Sequence, residues 1–107
     1  MSLYMIQARL TPDAWQAVYR SEVDRRTVIS SMLEKVGGRL VDYYFSFGDS
    51  DVMLIADAPD NRTAASAALA VAMSGAVIEI KTTPLLTYEE GVEALRQSEQ
   101  MGYLPPS

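Results

Sequence analysis

The chain has 107 residues, 49% of them hydrophobic, a formal net charge of −5, and neither cysteine nor histidine. That length corresponds to one globular domain with a modest core. The missing residue types exclude disulfides, zinc fingers, the Ser-His-Asp triad and His- or Cys-ligated haem, and the acidic balance opposes nucleic acid, since the only basic run is Arg25 and Arg26.

No segment reaches the roughly 20 apolar residues of a membrane helix. The start, MSLYMIQARL, has neither the basic n-region nor the long apolar run of a signal peptide. A cytoplasmic location without a membrane partner is the expectation.

Residues 3–9 read as a first strand, stopped by Thr11 and Pro12. Threonine is a good N-cap, and proline suits a first helical position, where no N–H is needed. Trp15, Val18, Tyr19, Val28, Ile29, Met32, Leu33 and Val36 recur at spacings of three and four, which predicts one helix to about Val36 with a buried stripe. Between them Arg20 with Asp24, and Glu22 with Arg26, form i,i+4 pairs on a solvated face.

Gly37 and Gly38 stop that helix. Two strands follow, roughly 39–47 and 51–57, joined through Gly48, Asp49 and Ser50. The spacing predicts a two-residue turn in which Gly48 pairs with Asp51 and takes φ > 0. Asp60 or Asn61 caps a second, alanine-rich helix to about Met73, whose small side chains allow a close approach to a sheet. Ser74 and Gly75 break it. Residues 76–83 form a fourth strand, limited by Pro84. Thr87 with Glu90 makes a capping box for a last helix, and GYLPPS is a tail or arm.

The order strand, helix, strand, strand, helix, strand is that of an α+β ferredoxin-like β-α-β-β-α-β sandwich, here with an extra C-terminal helix. Alternation across the strands places Val41, Tyr43, Phe45, Phe47, Val52, Leu54 and Ala56 on the face towards the helices. The second face takes Asp42, Tyr44, Ser46, Met53, Ile55 and Asp57, joined by Met5, Gln7, Arg9, Val77, Glu79 and Lys81. Its apolar members, Met5, Tyr44, Met53, Ile55 and Val77, form a patch that needs a cover. A second copy of the same sheet is the simplest cover, giving a homodimer or a higher homo-oligomer with a barrel-like interior.

The central block resembles the GYD-domain family. Gly37 and Gly38 carry the likeness, with Tyr44, Phe45, Ser46, Phe47 and Gly48 at the strand end, Asp51, the apolar strand 52–55, and Ala58, Pro59 and Asp60. The alanine-rich helix, Ser74, Gly75 and residues 82–86 extend it over most of 3–95. The resemblance implies a dimeric α/β barrel built on a ferredoxin-like domain at 1–95, with 96–107 as helix end and tail. It implies no reaction. The family signature, roughly Gly-x-Tyr-Asp, reads Gly48, Asp49, Ser50, Asp51 here, so this chain cannot use that tyrosine for chemistry or ligand contact in the same way.

Candidate ligand contacts are Arg9, Tyr44, Ser46 and Asp57 on the second face and Asp51 at its rim, with Gly48 and Asp51 as the motif residues. A tyrosine hydroxyl beside a carboxylate and a guanidinium can polarise a carbonyl, although an interface hydrogen-bond network uses the same groups. No catalytic residue is assigned. Asp49, Asp51, Asp57, Asp60 and Glu79 lack the spacing of a cation loop, so no metal site is expected, and no cofactor is implied. The expected function is a small homo-oligomeric protein that binds an apolar or aromatic metabolite or serves as an interaction domain. The alternative is a cofactor-independent monooxygenase- or isomerase-like enzyme on the same scaffold, by analogy of fold.

Overall fold

The computed structural model describes residues 1–107. Its elements run β1 (Ser2–Leu10), α1 (Pro12–Arg20), α2 (Arg25–Glu34), β2 (Arg39–Phe45), β3 (Val52–Ala58), α3 (Asn61–Met73), β4 (Val77–Leu85) and α4 (Tyr88–Glu99). The strands form one antiparallel sheet in the order β2-β3-β1-β4. α1, α2 and α3 lie over one face of it. The fold is therefore the ferredoxin-like α+β sandwich, with an open sheet whose edges are β2 and β4.

Local chemistry sets most of the boundaries. Thr11 Oγ1 accepts the Ala14 N–H at 3.1 Å, and Asp60 accepts the Thr63 N–H at 2.8 Å. The capping box of α4 closes in both directions, Glu90 N–H to Thr87 at 3.1 Å and Thr87 N–H to Glu90 at 2.9 Å. After α2 the chain makes a Schellman turn. Gly37 sits at φ 81°, and the amides of Gly37 and Gly38 donate to Glu34 and Leu33 at 3.1 and 2.8 Å. Gly38 is required by space: a Cβ there would lie 2.8 Å from the Asp57 carbonyl oxygen.

Several sequence expectations need correction. The helix expected over 12–36 is broken between Arg20 and Arg25. Ser21 leaves helical geometry at ψ 138°, and Asp24 restarts the chain as an N-cap that accepts the Arg26 N–H at 2.9 Å and pairs with its guanidinium at 2.7 Å. Neither expected i,i+4 pair forms, because Asp24 is committed to the cap. Of the expected buried stripe only Leu33 is buried, while Tyr19 is 88% exposed.

The hairpin turn is longer than two residues. Ser46 N–H donates to the Asp51 carbonyl at 2.8 Å, which leaves residues 47–50 as the loop. Gly48 does not take positive φ, and Phe47 stands fully in solvent instead of on the helix face. A bulge in β2 between Leu40 and Asp42 takes Val41 out of the paired register. A second irregularity, where Arg9 pairs with Glu79 but Leu10 with Val77, turns Val77 to the helix side of the sheet. β4 also continues through Pro84, which an edge strand tolerates because its outer amide needs no partner.

The core is small. Ile6, Leu33, Leu54, Ala56 and Ala67 form its main cluster, and Tyr4, Ala58 and Ala64 a second one. Ala64 and Ala67 let the first half of α3 sit close on the sheet, as the alanine-rich sequence implies. The Tyr4 phenol, buried against α3, donates to Asn61 Oδ1 at 2.6 Å. The C-terminal region contributes nothing to this core. α4 has no buried residue, and residues 100–107 are all exposed.

Two global measures express the same point. The radius of gyration is 16.9 Å, against about 13 Å for a compact domain of this length. The chain exposes 7957 Å², about a third more than a folded monomer of its size usually does.

Candidate functional site

α2 packs mainly on β2 and α3 mainly on β4, with lighter contacts of α1 to β1 and of α3 to β3, so the middle of the sheet is only partly covered. Short side chains leave space there. Ala68, Ala70 and Val71 of α3 and Ala14, Ala17 and Val18 of α1 all line a cleft of about 460 Å³. That volume lies within the usual range of small-molecule sites. Ile6, Leu54 and Ile80 contribute to its floor. The lining is apolar except for Ser21, Arg25, Ser74 and the phenol of Tyr43, and it holds no carboxylate and no lysine.

The break between α1 and α2 positions the polar end. Because the chain restarts at Asp24, Arg25 becomes the first residue of α2 and reaches the cleft, while Arg26 points to the exposed pair with Asp24. A second hollow adjoins there, walled by Trp15, Val18, Tyr19, Val23, Tyr43 and Phe45 and by the charged run Asp24, Arg25 and Arg26, in which Asp24 and Arg26 are paired with each other. Aromatic packing braces that wall, with Trp15 and Tyr43 at 5.9 and 6.0 Å from the Phe45 ring. Burial pushes the Tyr43 phenol above its ordinary range, Arg25 pulling it down and Asp24 adding to the rise. Tyr43 is accordingly a neutral hydroxyl at neutral pH, able to donate or accept.

The residues singled out from the sequence lie elsewhere and do not converge. Asp51 accepts the Leu10 N–H at 2.9 Å and its own amide donates to Ala8 at 2.8 Å, which ties the start of β3 to the end of β1. Ser46 Oγ donates to the Ser50 carbonyl at 2.8 Å and lies 3.3 Å from the Ser50 hydroxyl, closing the hairpin loop. Asp57 pairs with Arg39 on the neighbouring strand. Tyr44 is 50% exposed on the second face beside Met53, and Arg9 is exposed opposite Glu79. No three His, Cys, Asp or Glu side chains come together as metal ligands.

Sequence reading missed Tyr43 and Arg25. Tyr43 looks like one more apolar core position, and Arg25 like part of a solvated charge run. The signal that could have found them is the segment Ser21 to Asp24, in which serine and aspartate both favour helix ends.

No helix is long and apolar enough to cross a membrane. No curated protein matches the chain. Among solved structures, the crystal structure of MtbAldR superposes with a TM-score of 0.58 at 19% identity, covering 80% of this chain and 52% of that one. The chain thus spans about half the length of that protein, and the likeness is one of fold. The GYD domain model matches residues 4–95, most of the chain and all of the β-α-β-β-α-β unit from Tyr4 onward. By that match the chain belongs to the GYD domain family.

Proposed function

We propose that the protein is a homo-oligomeric binding protein that holds a small apolar or aromatic molecule in the cleft between its helices and its sheet. The observation that carries this reading is the cleft itself: about 460 Å³ of apolar-lined space with a few polar groups. The acid–base alternative, a cofactor-independent enzyme, has Tyr43 as its only titrating acid in that lining, so binding is the reading the lining favours.

Assembly through the second sheet face is part of the proposal. Met5, Met53 and Ile55 are partly exposed there and Tyr44 is half-exposed, while Asp57 and Arg39 provide a polar edge. The excess exposed area is on the scale that a stable dimer covers on each partner, about 800 Å² or more. α4 supports the same reading, since an isolated helix of its length is marginal in water and gains stability from a surface to pack on.

Native mass spectrometry of the purified protein tests both parts. The expected spectrum is a dimer or its multiple with a reproducible small-molecule adduct, and Ile55→Arg is expected to shift it to monomer. A wild-type monomer at micromolar concentration would refute the assembly. Failure of a panel of small apolar and aromatic compounds to bind at millimolar concentration would refute the cleft as a binding site.

A further inference from the structure

We propose that the ligand of this cleft is an amphiphilic acid: an apolar chain or ring carrying one anionic group, which Arg25 binds at the α1–α2 break. The inference rests on the cleft being the binding site and adds the chemistry of the ligand's head.

Arg25 is the only charged residue among those lining the cleft. It makes no ion pair, although the chain carries a net charge of −5. Its sequence neighbour Asp24 does not neutralise it, because that carboxylate holds the amide and guanidinium of Arg26 at 2.9 and 2.7 Å. A guanidinium on an apolar wall keeps its stem against that wall and its planar donors at the mouth. Charge next to low-dielectric surface is costly unless it meets a counter-charge or water. A bound apolar body displaces water from the mouth, and an anionic head replaces that water with a charge-assisted, bidentate contact. A neutral head leaves the guanidinium less well satisfied, and a cationic head is repelled.

Two further details narrow the class. There is one cation in the lining, so one anionic group is matched and a second would enter an apolar wall without a partner. Tyr43 lines both the cleft and the adjoining hollow beside Arg25, where its neutral hydroxyl can donate to the same head. Away from Arg25 the lining is mainly alanine, valine, leucine and isoleucine, with Ser74 as its one polar side chain, and Ser74 carries no charge.

The test uses a matched pair of probes, decanoate and decanol, below their aggregation limits, on the full chain. Trp15 is the single tryptophan and lines the hollow beside Arg25, so its fluorescence is a built-in reporter. Isothermal titration calorimetry provides a second readout. Decanoate is expected to bind about ten-fold more tightly than decanol, and to weaken as salt is raised. Arg25→Gln is expected to remove that preference, bringing decanoate to within about two-fold of decanol, and Arg25→Lys to restore part of it. Circular dichroism of each variant checks that the fold is kept. Equal binding of the two probes by the wild type, or an undiminished preference in Arg25→Gln, would overturn the anionic head and leave the cleft reading standing. Binding of neither probe by either readout would overturn the cleft reading itself.

Discussion

Leu54 and Ile55 are neighbours on β3 with the same backbone pairing, yet they face different conditions. Leu54 lies in the main core cluster under the helices, whereas Ile55 sits on the open side of the sheet, partly exposed between Met5 and Asp42. The contrast extends along the strand: Val52, Leu54, Ala56 and Ala58 are buried, and Met53, Ile55 and Asp57 are not. The chain contains a cover for one face and none for the other. α4 likewise lacks a partner, since it is well capped but has no buried residue. A fold can thus be complete in its hydrogen bonds while still lacking a partner for its apolar surface.

The largest effect that can break this comparison is Leu54→Ala. It is expected to lower stability by about 2–5 kcal/mol in urea unfolding, because it removes core contacts and enlarges the space under the helices. That loss should persist at every protein concentration, whereas the loss from Ile55→Arg should appear only where the wild type is assembled. Equal, concentration-independent losses would mean that the two faces are not different in kind.

A smaller effect separates two glycines. Gly38→Ala is expected to cost about 1–3 kcal/mol, since its Cβ would press on backbone oxygens of Asp57 and Leu33 at 2.8 and 3.3 Å. Gly48→Ala should stay within about 0.5 kcal/mol of wild type, with no atom within 4 Å of its Cβ and no positive φ. Thermal melts of the two variants side by side decide this. A severe loss in Gly48→Ala would show that the hairpin loop is tighter than the structure has it.

The smallest effects are in the pH dependence. Hydrogen bonds from the Thr63 and Thr87 segments hold the Asp60 and Glu90 carboxyls below their usual range, and Arg26 does the same for Asp24. A lowered folded pKa means that the stabilisation is present above the ordinary carboxylate value and is lost as pH falls through the folded value. Helix signal should therefore decline on acidification, with α4 fraying first because no packing supports it. At the other end, burial raises the Tyr43 phenol, so its contribution holds below the ordinary tyrosine value of about 10 and is lost as pH rises through the folded one. Tyr43→Phe should flatten the alkaline limb of a pH–stability curve and leave the acid limb unchanged.

The sequence by itself determined those local features in which one side-chain pattern has no competitor. Thr11, Asp60 and the Thr87–Glu90 box cap helices as their side chains dictate, and Gly37 and Gly38 form the turn that their backbone freedom and small size allow. Period-two alternation assigned Tyr43, Phe45, Val52, Leu54 and Ala56 to the helix side, and the element order specified the ferredoxin-like sheet. Tertiary structure decided the rest. Whether Ser21 to Asp24 continued a helix or broke it depended on competition between i,i+4 pairing and capping, and the side chain of Asp24 could not do both. Bulges at Val41 and next to Leu10 shift register by one residue, which turns Val77 to the other face without any mark in composition. The cleft is the clearest case. It exists because α3 carries alanines where a filled layer needs larger side chains and because α1 and α2 part at their break. Space between elements is a property of their arrangement in three dimensions, and no pattern along the chain encodes it locally.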